Sequence, residues 1–246
     1  MRIFAKLTRA EFRLFVREPM QLFWIFAFPT ILVIILGSIP DFREPSPDMG
    51  GATVISLYVG ISLALSLAML GLQFLPSVLA SYREKGILRR VATTPVRPIV
   101  LLAAQMASSL LIAVVSGLLV IAVGRIVFGV GLPGQLAGFV LAYLLSAAGV
   151  FAVGLLIAAL APTGKAANSI GTLLFFPSMF FAGLWTPREV LPGFLQRIGD
   201  FTPLGAGERA LHEAATGHWP QLLPIVVLVA YVVVFGAAAA RLFRWE

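Results

Sequence analysis

The side chains in this sequence that could do covalent or metal chemistry are few, and their spacing does not assemble a site. His212 and His218 are its two histidines, Glu213 lies between them, and cysteine is absent. A metal centre, or a nucleophile with its base, needs more convergent groups than these, and thiolate or disulfide chemistry is excluded. Both histidines are expected to be solvated loop residues. A phosphate-binding loop is also missing: the Gly164-Lys165 pair is followed by Ala166 and has no glycine at the required distance upstream. ATP cannot be held here by that device.

What remains is hydrogen bonding in apolar surroundings. Ser62, Ser66, Met69, Gln73 and Ser77 fall on one stripe at helical spacing, and Gln105, Ser109 and Ser116 fall on another. Such groups either line a pathway for a cargo that enters from the membrane or knit helices together by hydrogen bonds and close packing. No Asp, Glu, Lys, Arg or His sits at mid-depth in the apolar stretches, so neither a proton relay nor a fixed ionic substrate site is expected.

The elements that carry these stripes must be membrane helices. Hydrophobic residues make up 59% of the 246 residues and charged residues 12%, a balance outside the range of soluble domains. Six apolar stretches, roughly 22–39, 52–79, 99–123, 134–161, 166–184 and 222–240, each approach or exceed the ~20 residues that cross a bilayer as a helix. The expected fold is an all-α membrane protein of six spans forming one domain, with kinks at Pro29, Pro76 and Pro177.

Orientation follows from lysine and arginine in the short loops. Arg2, Lys6, Arg9, Arg13 and Arg17 precede the first span; Arg83, Lys85, Arg89, Arg90 and Arg97 follow the second; Lys165, Arg241 and Arg244 fall on the same side. The other side has Arg43, Arg125, Arg188, Arg197 and Arg209 beside most of the acidic residues. Both termini are therefore expected in the cytoplasm of a cell whose plasma membrane, a bacterial inner membrane, holds the chain. The net charge of +7 is then a topology signal, and no nucleic-acid partner is implied. Residues 1–19 read as an uncleaved amphipathic helix lying along the interface, with Lys6, Arg9, Arg13 and Arg17 in one stripe and Ile3, Phe4, Leu7, Leu14 and Phe15 roughly opposite. A plain positive flank is the simpler alternative.

The polar island of residues 81–98 contains the short segment "REKGILRR", with Ile87, Leu88 and Val91 as an apolar edge. Spacing alone also fits a plain connector whose arginines hold topology and touch anionic lipid. The run "YREKGILRRVATTPVRP" resembles the loop between spans 2 and 3 of type-2 permeases of ATP-binding-cassette (ABC) exporters, the drug-exporter kind included. "VREPMQLFWIFAFPTILVIILG" and "GLWTPREVLPGFLQRIGDFTPLGAGERALHEAATG" resemble the same family, and with the six-span layout the likeness covers essentially the whole chain. The resemblance implies that Arg83 to Thr94 is a coupling helix docking in a cleft of a separate ATPase subunit. Arg83, Glu84, Lys85, Arg89 and Arg90 would supply charged contacts, and Ile87, Leu88 and Val91 would pack.

The resemblance further implies two permease copies, identical or related, with two ATPase subunits that bind ATP and Mg, while this chain binds no cofactor of its own. Cargo would be hydrophobic and drug-like, or else a lipid or lipid-linked glycan. A secondary transporter would show internal symmetry or intramembrane charge, and a membrane-embedded enzyme a catalytic constellation; neither feature is present in the sequence. Residues 185–220 are too long for a tight turn and unusually apolar. Leu191, Phe194, Leu195 and Ile198 recur at helical spacing around Pro192, and "GAGERALHEAA" follows Pro203. A re-entrant helical hairpin on the external side is expected, the alternative being a surface segment anchored by Trp185 and Trp219.

Overall fold

The computed structural model describes residues 2–45, 53–92, 98–186, 188 and 191–243, and side chains throughout these except at 2, 3, 91, 92, 98 and 99. Those residues are helical with no β-strand beyond an isolated bridge between Pro45 and Thr53. In chain order the helices are α1 (Arg2–Val16), α2 (Pro19–Leu22), α3 (Phe28–Gly37), α4 (Val54–Ala68), α5 (Leu75–Glu84), α6 (Ile87–Ala92), α7 (Pro98–Phe128), α8 (Leu136–Leu160), α9 (Gly164–Phe181), α10 (Gly193–Asp200), α11 (Pro203–Ala215) and α12 (Leu222–Leu242). Two wide π turns, Phe23–Ala27 and Met69–Phe74, join α2 to α3 and α4 to α5, making continuous helices.

Among the described residues, five helices are long and apolar enough to cross a membrane: Pro19–Gly37, Val54–Glu84, Val100–Phe128, Leu136–Leu160 and Leu222–Leu242. At the position expected for the sixth, α9 is 18 residues long. It is less apolar than the others because Lys165, Asn168, Ser169, Thr172 and Ser178 lie along it.

The bundle is built around Val54–Glu84, whose Leu63, Leu65, Leu67, Leu70, Leu75 and Leu79 are fully buried. α3 and α7 pack against α4, α5 lies between α8 and α9, and α11 and α12 pack on α8. The outer helices instead expose large apolar side chains, among them Leu118, Ile126, Leu173, Leu222 and Val233. A surface of that kind suits lipid rather than water.

Both π turns precede a proline, Pro29 and Pro76. Proline removes the N–H that would bond the carbonyl four residues back. For Pro29 that carbonyl belongs to Ile25, and Ser116 of α7 donates its hydroxyl to it at 2.7 Å. For Pro76 it belongs to Leu72, and α9 crosses so closely there that a Cβ on Gly171 would overlap the Leu72 carbonyl. On the other side of the same turn, a Cβ on Gly154 of α8 would overlap the carbonyl of Gly71. The wide turn of Met69–Phe74 is thus wedged between α8 and α9 by two residues that have no side chain.

Candidate functional site

The α5–α6 corner is made by Gly86, whose φ of +67° lies in the left-handed region that glycine enters without penalty. Leu88 is buried and Ile87 half-buried, while Lys85, Arg89 and Arg90 are exposed. Val91 continues α6, but its side chain and the whole of residues 93–97, including Thr94, lie outside the described residues. Arg83 and Glu84 turn toward the bundle. The Arg83 guanidinium donates to the carbonyl of Ala159 at 3.2 Å and to that of Ala161, both at the last turn of α8, where carbonyls have no helical partner. The Glu84 carboxylate accepts the backbone N–H of Gly164 at 3.0 Å, at the start of α9, where negative charge is favoured. The Thr163 hydroxyl caps the same helix through the Ala166 N–H. Adjacent residues of opposite charge therefore grip the two ends of the α8–α9 turn.

Beside this corner lies α1. Lys6, Arg9, Arg13 and Arg17 are exposed on one face, and Leu7, Glu11, Phe12 and Phe15 meet the bundle on the other. Leu14 and Phe4, expected on the apolar side, are exposed. Glu11 is the member of the inner face that the amphipathic pattern did not single out, although an acidic residue among apolar neighbours was visible there. The Tyr82 hydroxyl donates to its carboxylate at 2.7 Å. Burial pushes the Glu11 carboxyl above its ordinary range, and the Tyr82 hydrogen bond pulls partly back.

The two polar stripes separate in the structure. Ser66 donates to the carbonyl of Ser62 at 3.1 Å, and Ser116 reaches the Ser66 hydroxyl at 3.1 Å. These residues are fully buried, as are Ser109 and, nearly, Gln105. The hydroxyls of Ser62 and Ser109 and the Gln105 carbonyl oxygen have no hydrogen-bond partner among the described residues. Met69, Gln73 and Ser77 instead face a cavity of about 300 Å³, with Gln21, Trp24, Phe74 and Asn168 around it. The reason is geometric: one stripe along 62–77 presumes 3.6 residues per turn throughout, and the π turn at Met69–Phe74 changes the phase partway.

This cavity draws its walls from three parts of the chain, the α2 region, the second π turn with α5, and α9. Its polar groups are neutral: the carboxamides of Gln21, Gln73 and Asn168 and the Ser77 hydroxyl, set among Trp24, Phe74 and Met69. The Gln21 carbonyl oxygen is buried without a partner, a state that costs roughly 1–3 kcal/mol unless something donates to it. Gln21 and Asn168 were not legible as members of the site, because nothing in their local sequence ties them to Gln73.

At the opposite end of the bundle, α11 is buried among α4, α8, α9 and α12. Its N-terminus is capped by the Thr202 hydroxyl on the Gly205 N–H. Asp200 accepts from Arg188 at 2.5 Å and Arg209 at 3.1 Å, and Arg209 also pairs with Glu213 at 3.1 Å. Glu213 in turn accepts the Gln221 N–H at 2.6 Å, tying the hairpin to the start of α12. Pro192 sits at the N-cap of α10; Phe194, Ile198 and Trp185 are exposed and Leu195 is half-buried. His212 departs from expectation: it is a half-buried residue of α11, and only His218 is exposed. No group of three or more metal-ligating side chains occurs among the described residues.

A family model described as ABC-2 type transporter matches residues 3–214. The chain is 25% identical over 240 residues to the Bacillus subtilis (strain 168) protein named transport permease YvfS, covering 96% of this chain and 94% of that one. It is 24% identical over 244 residues to the daunorubicin resistance ABC transporter permease protein DrrB1 of Streptomyces coeruleorubidus, at 92% and 80% coverage. Identity to the inner membrane transport permease YhhJ of Escherichia coli (strain K12) is 26% over 170 residues, covering 66% of this chain and 46% of that protein, so the chain spans about half of that relative.

Proposed function

Because the chain belongs to the ABC-2 type transporter family, we propose that it is the membrane subunit of an ATP-driven exporter of hydrophobic or amphipathic, drug-like molecules. It is a multi-pass membrane protein and a permease, with ATP hydrolysis belonging to a separate chain. The observation that carries the cargo class is the cavity beside Gln73: aromatic and thioether walls with neutral hydrogen-bonding groups and no fixed charge. Such a lining accepts an apolar body that carries carbonyls or hydroxyls. The drug-resistance name of DrrB1 supports the same class.

In this reading α9 is a sixth span, and the end carrying α1 and α6 faces the cytoplasm of a bacterial inner membrane. Lys85, Ile87, Arg89, Arg90 and Val91 meet an ATPase that carries ATP and Mg. Two permeases and two ATPases assemble, and the exposed face of α9, which mixes Asn168 and Ser169 with Leu173 and Phe176, suits a second permease better than lipid. The α10–α11 hairpin re-enters the outer leaflet, supported by the burial of α11. A lipid or lipid-linked glycan is the second reading, favoured by an apolar cavity of about 400 Å³ between α7 and α8 around Leu118, Leu136 and Tyr143.

Proteoliposomes holding the permease and its ATPase test both readings. ATP should drive accumulation of an aromatic, hydroxyl-bearing drug on the side away from the ATPase. Gln73→Leu should raise its KM about fivefold, the worth of one hydrogen bond, with little change in ATP hydrolysis. Movement of a fluorescent phospholipid without any of the drug would favour the second reading, and ATP hydrolysis by the permease alone would overturn both.

A further inference from the structure

The corner at α5–α6 holds two charged residues whose partners are backbone groups of the same chain. Arg83 reaches the last carbonyls of α8, and Glu84 takes the first N–H of α9. Nearby, the Ser77 hydroxyl donates to the carbonyl of Gly164 at 3.4 Å. A Cβ on Gly164 would meet the Ser81 side chain, so α5 and the start of α9 touch without a side chain between them. Further along, Gly154 and Gly171 hold the second π turn against α8 and α9 in the same way. Contacts of this closeness run from Leu72 to Glu84, along the whole half of the second span nearest α6.

We propose that Arg83 and Glu84 are positioning residues, which lock this half of the second span, the end of α8 and the start of α9 into one rigid block. This rests on the reading of α6 as the ATPase contact. The cavity gives the block its consequence. Gln73, Phe74 and Asn168 belong to it, whereas Gln21 and Trp24 stand on the first span. A push on α6 that moves the block as a unit therefore shifts one wall of the cavity against the other. If the corner were loose, the same push would tilt α6 about Gly86, where the chain turns, and leave the wall where it was. The charged pair is suited to the task because each member satisfies helix-end groups that would otherwise lack partners, and both ends of one turn are held from a single point.

The chain has no cysteine, which permits a direct test. A Cβ on Gly164 would lie 3.2 Å from the Ser81 Cβ, near the roughly 3.5–4.5 Å that a disulfide spans. Permease carrying Ser81→Cys and Gly164→Cys, reconstituted with its ATPase, should cross-link on oxidation and still transport. Arg83→Ala with Glu84→Ala should still co-purify with the ATPase and hydrolyse ATP, while transport per ATP falls on the order of tenfold. Oxidising the cysteine pair in that background should restore it. Arg83→Lys with Glu84→Gln, which retain the donors and acceptors, should lose less.

Three results would each overturn the block: a disulfide that stops transport in the otherwise unaltered chain, normal coupling after both alanine substitutions, or loss of ATPase binding by the alanine variant alone. Failure of the unaltered permease to bind any ATPase would instead defeat the docking reading. The block is then judged on the isolated permease, where the alanine substitutions must slow formation of the 81–164 disulfide; an unchanged rate overturns it.

Discussion

The Ser116 hydroxyl donates to the carbonyl of Ile25 at 2.7 Å and so stands in for the N–H that Pro29 lacks. A residue of α7 completes the backbone of a helix ninety-one positions away, and the same hydroxyl touches Ser66 of α4 at 3.1 Å. Three helices meet at one oxygen. The serine stripe thus serves the integrity of the bundle at this point, and the substitution of Ser116 should be felt there.

Ser116→Ala should destabilise the folded chain by about 1–3 kcal/mol, because a buried carbonyl loses its donor. Pro29→Ala in the same chain returns an N–H to the helix and should recover part of the loss. Thermal unfolding in detergent of the two single variants and the double variant measures the coupling. Additive effects would show that the hydroxyl and the proline act separately.

Glu11 gives a pH dependence. Its carboxyl is pushed up by burial from an ordinary value of 4.5, so the folded chain binds that proton more tightly than the unfolded chain does. Its contribution to stability is fully present below 4.5 and is lost as pH rises through the raised value. Glu11→Gln should therefore raise the unfolding temperature at neutral pH, keep the acceptor for Tyr82, and have little effect near pH 4. A benefit of equal size at both pH values would contradict the assignment.

Gly171→Ala and Gly154→Ala should each cost about 1–3 kcal/mol, since the new methyl enters space held by a carbonyl of the second π turn. Gly236→Ala is the control. Nothing lies within 4 Å of a Cβ there, and alanine in a helix is favoured over glycine by about 1 kcal/mol. Melting temperatures of the purified variants should therefore move in opposite directions.

The hairpin can be tested with single cysteines. Phe194 is 65% exposed on the surface of the chain and Leu195 is half-buried, while Gly217 is also exposed. If α10 lies in the outer leaflet, cysteines at Phe194 and Leu195 resist a membrane-impermeant thiol reagent added to intact cells, and one at Gly217 reacts. Rapid labelling at all three positions would place α10 in water.

Much of this architecture was legible from hydropathy, because a bilayer imposes length and apolarity on each span and Val54–Glu84 or Leu222–Leu242 has little freedom to look like anything else. The basic stripe of α1 was readable for the same reason, since Lys6, Arg9, Arg13 and Arg17 have only one face on which to sit. Partners were not readable. The residue type of Arg83 and Glu84 says that each needs a charged or polar neighbour, and the neighbours, Ala159, Ala161 and Gly164, are backbone groups that leave no mark on composition. Gln21, Gln73 and Asn168 come from three separated elements, so only packing brings them together. Helical spacing did gather Ser66 and Ser77, and a π turn between them sent one to the core and the other to the cavity.

That turn also makes length an inherited constraint. A π turn accommodates one residue more than an α turn in the same helix, and each residue turns an α-helix by about 100°. Deleting a single residue from Met69–Phe74 would hardly shorten the second span, yet it would swing everything beyond it around the helix axis, carrying Tyr82 away from Glu11 and Arg83 away from α8. Descendants of this gene can exchange side chains in the turn far more freely than they can lose a codon from it.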